Sequence, residues 1–292
     1  MTANNAIRDK VIVVTGGARG IGFATATALH NLGAKVAIGD VDEAKLKESA
    51  TDLGLDVYRK LDVTDPQSFT TFLDDVERQL GPLDVLINNA GIMPAGKVID
   101  EPDAVTRRIL DINTYGVILG SKLAAQRMVP RRSGHVINIA SLAGESPTPG
   151  LATYCASKYA VLGFTDSARI EHRDTGVHFS SVLPTFTNTE LVAGTSGAKL
   201  LKNAEPEDIA NAIIGLITRP AARVAVTRIA GIIAGSMKFL PQSTGEFIAR
   251  KLGMEHVFLD EVDNAARKAY EDRARGIESS AGGSPTSAHD NR

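Results

Sequence analysis

The sequence predicts an α/β fold, an open, doubly wound parallel sheet covered by helices on both faces in a three-layer α/β/α sandwich. Three observations carry this. Short runs rich in Val and Ile alternate with segments of helical period from residue 10 to residue 184. The first run stops on glycines and passes straight into a helix, as a buried parallel strand does. Crossovers between parallel strands are right-handed, so the alternation winds the sheet in both directions.

Each element follows from its own residues. KVIVVTGG (10–17) is the first strand, and GFATATALHNLG (22–33) is a helix that closes on Gly33. AKVAIGD (34–40) is the second strand, DEAKLKESATDLG (42–54) the second helix and LDVYRKLDV (55–63) the third strand. After Asp65-Pro66 the helix QSFTTFLDDVERQLG (67–81) leads into the strand LDVLINNAG (83–91). AVTRRILDINTYGVILGSKLAAQRMV (104–129) reads as one long helix, GHVINIAS (134–141) as a strand that ends on Ser141, ATYCASKYAVLGFTDSARIEHR (152–173) as a helix and VHFSSVLP (177–184) as a strand. Residues 185–205 are rich in Thr, Gly and Ser and read as a loop with a short helix, either a lid or a surface insertion. EPEDIANAIIGLIT is a helix capped near Glu205 or Pro206, and ARVAVT (222–227) is the last strand.

These elements make residues 1–230 a single domain, the arrangement that a chain of 292 residues favours. Residues 231–275 form a C-terminal extension whose apolar stretch, Phe and basic residues suit a pocket cap, a subunit interface or a membrane surface. Residues 276–292 lack an apolar pattern and read as a disordered tail.

Composition excludes several functions. The net charge is -2 with acidic and basic residues well mixed, and the Arg pairs at 107–108 and 131–132 are too short for a nucleic-acid surface. A single cysteine, Cys155, rules out an intramolecular disulfide or a thiolate metal cluster and suits a reducing cytoplasm. MTANNAIRDK has no apolar core for a signal peptide, and no run is long enough to span a bilayer, so the expected location is cytoplasmic. His172 has no partner at metal-ligand spacing, and His135 and His178 read as strand-edge residues, so no metal is expected.

Two stretches carry chemistry. TGGARGIG (15–22) lies between a strand and a helix, where glycines let amides and a helix N-terminus approach a pyrophosphate. Asp40 ends the second strand, where its carboxylate can accept the ribose hydroxyls of NAD and would repel the 2'-phosphate of NADP. Arg19 argues for NADP or for a contact with the pyrophosphate edge, leaving NAD the first expectation and NADP the second. In YCASK (154–158), Tyr154 and Lys158 share one helix face a turn apart. A lysine cation beside a phenol favours the phenolate and lowers its pKa, so Tyr154 can exchange a proton with an alcohol or carbonyl.

With these motifs in order, the chain resembles the short-chain dehydrogenase/reductase family over about residues 8–230. The resemblance implies a Rossmann-type fold and an oxidoreductase that passes a hydride between NAD and a secondary alcohol or ketone. Thr15, Gly16, Gly20 and Gly22 match the family's glycine motif, with Arg19 and Ile21 in the same loop. Asp62 and Val63 match the adenine contacts, and Asn89, Ala90 and Gly91 of NNAG (88–91) the segment lining the cofactor site. Pro184, Thr187 and Thr189 match the segment that binds the nicotinamide amide. Asn113, Ser141, Tyr154 and Lys158 match the catalytic tetrad.

The resemblance also assigns roles. Tyr154 becomes the general base or acid, Ser141 the group that orients the substrate oxygen, and Asn113 the residue that positions a relay water. Lys158 steadies the phenolate and, with Tyr154, holds the nicotinamide ribose. Thr185 departs from the family's glycine after the proline, which predicts a shifted local path. The C-terminal extension resembles that of members acting on steroids, retinoids or other apolar alcohols, and Leu142, Ala143, Leu191 and Val192 supply a greasy wall. A homodimer or homotetramer through helices around 104–127 and 152–172 is implied. The alternatives are an NADP-dependent carbonyl reductase and a dinucleotide-binding sensor or scaffold without turnover.

Overall fold

The structure, a computed structural model, describes residues 3–192, 194, 203–227, 258–259 and 263–276. A short helix, α1 (Ala3–Ile7), leads into β1 (Val11–Thr15), α2 (Gly20–Asn31), β2 (Lys35–Asp40), α3 (Glu43–Leu53) and β3 (Val57–Lys60). There follow α4 (Pro66–Leu80), β4 (Val85–Asn88), α5 (Asp103–Leu110), α6 (Gly116–Met128), β5 (Gly134–Ile139), α7 (Ala152–Glu171) and β6 (Val177–Pro184). α8 (Pro206–Thr218), β7 (Arg223–Val226) and α9 (Asn264–Arg275) complete the described elements.

Local chemistry sets the boundaries. The Asp42 and Asp65 side chains accept the Lys45 and Gln67 amides at the starts of α3 and α4, and Pro66 takes the first position of α4, where its missing N–H costs nothing. Asp208 accepts the Glu205 amide at 2.9 Å at the start of α8. Gly54 closes α3 in the left-handed conformation, with φ of 64°.

Among the described residues, seven strands form one parallel sheet in the order β3-β2-β1-β4-β5-β6-β7. β1 is the pivot: Ile12 pairs with Val36 on one side and with Val85 on the other. The order reverses there, so the crevice at the C-terminal ends of β1 and β4 is the topological switch point where such folds bind ligands. Leu29, Leu46, Ile209 and Ile213 bring α2, α3 and α8 onto one face, while Phe69, Phe72, Leu119 and Ala124 bring α4 and α6 onto the other. Burial on both faces explains why β1 and β4 are apolar up to their last residues, Thr15 and Asn88.

A polar side-chain network crosses this core between β4, β5, α6 and α7. Asn88 Nδ2 donates to Asn138 Oδ1 at 2.9 Å and to Ser121 Oγ at 3.2 Å, and Asn138 Nδ2 donates to Thr165 Oγ1 at 2.9 Å. All four residues are buried, and the network fixes β4, β5, α6 and α7 to one another.

Two expectations change. The helix over 104–129 is not continuous: α5 and α6 are joined by a π-helical turn, Asp111–Tyr115. The inserted residue rotates the chain locally and leaves Asn113 fully buried. Ser141 lies two residues past the end of β5 and caps the short turn Leu142–Gly144, its Oγ accepting the Ala143 amide at 3.1 Å.

Of the predicted loop over 185–205, a short turn at Glu190–Val192 is seen and residues 193 and 195–202 lie outside the described residues. Most of the 231–275 extension, including the apolar and basic stretch before residue 258, lies outside them too, as does the tail beyond Gly276. Among the described residues no helix is long and apolar enough to cross a membrane. Replacing Asn138 with Ala removes its bonds to Asn88 and Thr165, which keep Ser121 and the Val161 carbonyl as partners. Urea unfolding of that variant is expected to show a loss of about 1–3 kcal/mol, from two lost bonds at about 0.5–1.5 kcal/mol each.

Candidate active site

One cavity of about 1070 Å³ opens at the switch point and is lined by residues of the glycine loop, the strand ends, α7 and α9. At its floor the two halves of the sheet are tied together. Thr15 Oγ1 accepts the Asn89 and Ala90 amides at 3.0 and 3.1 Å, and Asn89 Nδ2 donates to the Thr15 and Gly16 carbonyls at 2.9 and 3.0 Å. A Cβ on Gly22 would sit 2.0 Å from the Gly16 carbonyl oxygen, so the start of α2 packs against the loop with no room for a side chain. Gly16 and Gly20 take φ of 65° and 51°. Gly20 begins α2, and Ile21 lines the cavity beside it. The result is a side-chain-free cradle at a helix N-terminus, which fits the pyrophosphate of a dinucleotide.

The acidic residues sit where the adenosine end would lie. Asp40 accepts the Ala18 amide at 3.2 Å and the Asp42 amide at 3.1 Å, while burial lifts its carboxyl above the ordinary range. Arg19 bonds Asp42 at 2.6 Å and lies 3.9 Å from Glu190. Burial would raise the Asp42 carboxyl, but the Arg19 bond, the Lys45 amide and nearby Arg273 outweigh it and hold it low. Asp62 Oδ1 accepts the Thr64 amide at 2.8 Å, and Val63 packs against Gly116.

On the opposite bank Pro184 ends β6, and Thr187 and Thr189 line the cavity, Thr189 packing against Gly20. Thr185 keeps a negative φ and donates its amide to the Val226 carbonyl at 2.7 Å, so the missing glycine forces no unusual backbone. Its buried Oγ1 has no partner among the described residues and borders the cavity, a free polar group where a carboxamide would bind.

The structure also brings the tetrad residues together. Tyr154 and Lys158 are 7% and 4% exposed on α7, and both line the cavity with Ser141. Asn113 is held by two bonds to Ile92, accepting its amide and donating to its carbonyl, each at 2.8 Å. It also donates to Ser157 Oγ at 3.2 Å, and its Oδ1 lies 3.2 Å from where a Cβ on Gly91 would stand.

The lysine does not lower the phenol as its spacing predicted. Lys158 Nζ donates to the Ile139 carbonyl at 2.9 Å and stands 5.6 Å from the Tyr154 ring centre. Burial therefore dominates, pushing the Tyr154 phenol up to about 12 against a small lowering by its Ser141 hydrogen bond, and bringing Lys158 down to about 8. The phenol therefore stays protonated at neutral pH, while the lysine keeps most of its charge there.

The third wall comes from the chain's far end. On α9, Arg267 is 1% exposed and donates to the Met93 and Leu191 carbonyls and to Glu271, bridging the segments that follow β4 and β6. Arg108 Nε donates to the Ala274 carbonyl at 3.0 Å, and Arg273 pairs with Glu190. Phe258 stacks on Phe186 with ring centres 5.7 Å apart. With Leu142, Ala143, Leu191 and Val192 also lining it, this end of the cavity is largely apolar.

The sequence reading named neither α9 nor the ion pairs around Glu190. A signal was present: Arg267, Tyr270 and Ala274 make one buried helical stripe behind an Asp263 cap. His135 is buried rather than at an edge. It lies 2.8 Å from Ser180 Oγ, and burial, then nearby His178 and Lys10, brings it down to about 3. Among the described residues no His, Cys, Asp and Glu cluster could hold a metal.

Comparison with known proteins agrees with this arrangement. The model of the short chain dehydrogenase family matches residues 10–199. The probable oxidoreductase EphD of Mycobacterium tuberculosis is 32% identical over 259 residues, covering 80% of this chain and 44% of its own length, so the chain spans less than half of that curated relative. An uncharacterized oxidoreductase of Staphylococcus aureus is 35% identical over 216 residues, covering 73% of this chain and 93% of its own length. In fold, the chain is similar to a short chain dehydrogenase/reductase of Burkholderia phymatum, whose crystal structure was solved in complex with NAD. The TM-score is 0.72 at 23% identity, covering 78% of this chain and 92% of that one. The glycine cradle, the paired strand ends and the buried Tyr-Lys face are thus those of a family member: this chain belongs to the short chain dehydrogenase family.

Proposed function

We propose that the protein is an NAD-dependent oxidoreductase acting on secondary alcohols and ketones with an apolar body. The observation that carries this is the meeting of Ser141, Tyr154 and Lys158 in the same cavity as the glycine cradle. NAD, when bound, supplies a hydride acceptor at the nicotinamide C4. Tyr154 exchanges the proton of the reacting oxygen, acting as base toward an alcohol and as acid toward a ketone. Held at about 12, its phenol is stored as a proton donor, the form that ketone reduction needs. Ser141 hydrogen-bonds the same oxygen and steadies its developing charge. Lys158, buried and brought down to about 8, supplies the charge that eases proton loss from the phenol. Asn113 fixes the backbone around Ile92 and positions the relay that serves Lys158.

Three features support the finer points. Arg19 is engaged by Asp42 and faces Glu190, so its charge is already balanced, and Asp40 stands ready for ribose hydroxyls; both favour NAD over NADP. Leu142, Leu191, Phe186 and Phe258 favour an apolar substrate, with the described part of the C-terminal extension serving as a wall of its pocket. Leu110, Tyr115, Tyr159 and Ile170 are exposed on or beside α5, α6 and α7, which supports pairing of copies through those helices.

Tyr154→Phe is expected to fold and bind NADH but to lose about a hundredfold or more in kcat, the usual range for a general acid or base. Initial rates at the NADH absorbance band check this, and wild-type turnover in the variant would refute the assignment. Asp40→Ser is expected to lower the NAD over NADP ratio of kcat/KM by more than about tenfold, since two like charges ~4 Å apart repel by ~4 kcal/mol near a protein surface. An unchanged ratio would place the discrimination elsewhere.

The third expectation concerns pH. Lys158 has a folded pKa of about 8, below its unfolded value near 10.5, so the unfolded chain binds more protons between those values. This lysine's contribution to stability therefore rises with pH through that window. Urea midpoints from about pH 8 to 10 should climb more steeply for the wild type than for Lys158→Met. Parallel profiles would show that the lysine is not depressed.

A further inference from the structure

α9 lies beyond the residues matched by the family model, yet it brings a second phenol to the cavity of Tyr154. Tyr270 is 8% exposed, and its oxygen accepts the Met93 amide at 2.6 Å. A phenol that accepts in this way still has its own O–H proton to place. Among the described residues nothing takes it. Arg267, 5.0 Å from the ring centre, can only donate. Glu271, the acceptor on the same helix, is already used by Arg267, Arg275 and the Ala95 amide. A buried donor left in this state is costly, and a ligand that brings an acceptor removes the cost.

The reacting oxygen is not the natural acceptor. A carbonyl oxygen has two lone pairs, and Tyr154 and Ser141 use both. Tyr270 nonetheless reaches the surroundings of Tyr154, since its oxygen bonds the amide of Met93 and Met93 packs in the same cluster as Tyr154. The rest of this end is apolar, with Met93, Leu151 and Phe258 packed around Tyr154. We propose that Tyr270 is a specificity residue that donates a hydrogen bond to a second substrate oxygen, selecting apolar alcohols and ketones that carry another carbonyl or hydroxyl one carbon removed from the reacting carbon. This rests on the dehydrogenase reading above and names its substrate class.

The test uses the full chain with NADH and two ketones of equal length, ethyl 3-oxohexanoate and 4-nonanone. The wild type is expected to favour the 3-oxoester in kcat/KM. In Tyr270→Phe the ratio of the two kcat/KM values should fall roughly three- to tenfold, carried by KM, as for one hydrogen bond of about 0.5–1.5 kcal/mol. Calorimetric titration of each ketone into the NADH complex should show the same change in relative affinity. An unchanged ratio, or an equal loss on both ketones, overturns the proposal. So does a wild type that binds NADH but takes neither ketone. Failure of the wild type to bind NADH strikes the dehydrogenase reading itself, and this inference with it.

Discussion

The structure depends on the cross-tie between Thr15 and Asn89. A parallel sheet wound in two directions has a gap where its halves diverge, and nothing in the backbone pairing of β1 and β4 closes it beyond the strand ends. One hydroxyl accepting two amides, and one amide donating to two carbonyls, closes it here. The glycine loop is thereby anchored to the segment that follows β4, the same segment that Asn113 grips one step later through Ile92. The cradle and the reacting end therefore share one continuous support, and a displacement of either would be passed to the other through Asn89–Ile92.

Burial then decides the electrostatics. Tyr154 and Lys158 sit close together, but a charge on either loses the hydration that water would supply, and among the described residues neither forms an ion pair that would offset the loss. The phenol is consequently kept protonated while the lysine loses its charge more readily than an exposed one, and the spacing of the residues alone does not activate the phenol. Elsewhere in the cavity the opposite balance holds. Asp42, Arg19, Glu190 and Arg273 remain partly exposed and neutralise one another in a chain that reaches from the end of β2 to α9.

Most of the fold was legible because period and punctuation agree with each other: β-branched runs end on Gly or Asp, and helices open on Asp or Pro. The glycine loop and the four residues expected as a tetrad stood out in the sequence because their types fit poorly into an ordinary core. Other features were hidden for identifiable reasons. A π-helical turn differs from an α-helix by one hydrogen-bond step and leaves the amphipathic pattern of 104–129 almost unchanged, so Asp111–Tyr115 gave no sign. The roles of Arg267 and Tyr270 depend on contacts to Met93 and Leu191 across long sequence separations, which no local pattern encodes. Burial of His135 likewise arises from its β5 position in the middle of the sheet, where the residues before it gave only an edge-like sequence.

The placement of α9 also orders events in time. Among the described residues the last strand of the sheet is β7, and the sheet's contacts are mostly between neighbouring strands and the helices that join them. The wall formed by Arg267, Tyr270 and Ala274 must instead be brought back over more than a hundred residues to meet Met93 and Arg108. Contacts of such separation carry a loop-closure cost and form late. During synthesis the sheet can thus assemble first, with its cleft open, and the cavity gains this wall only when the last described helix docks.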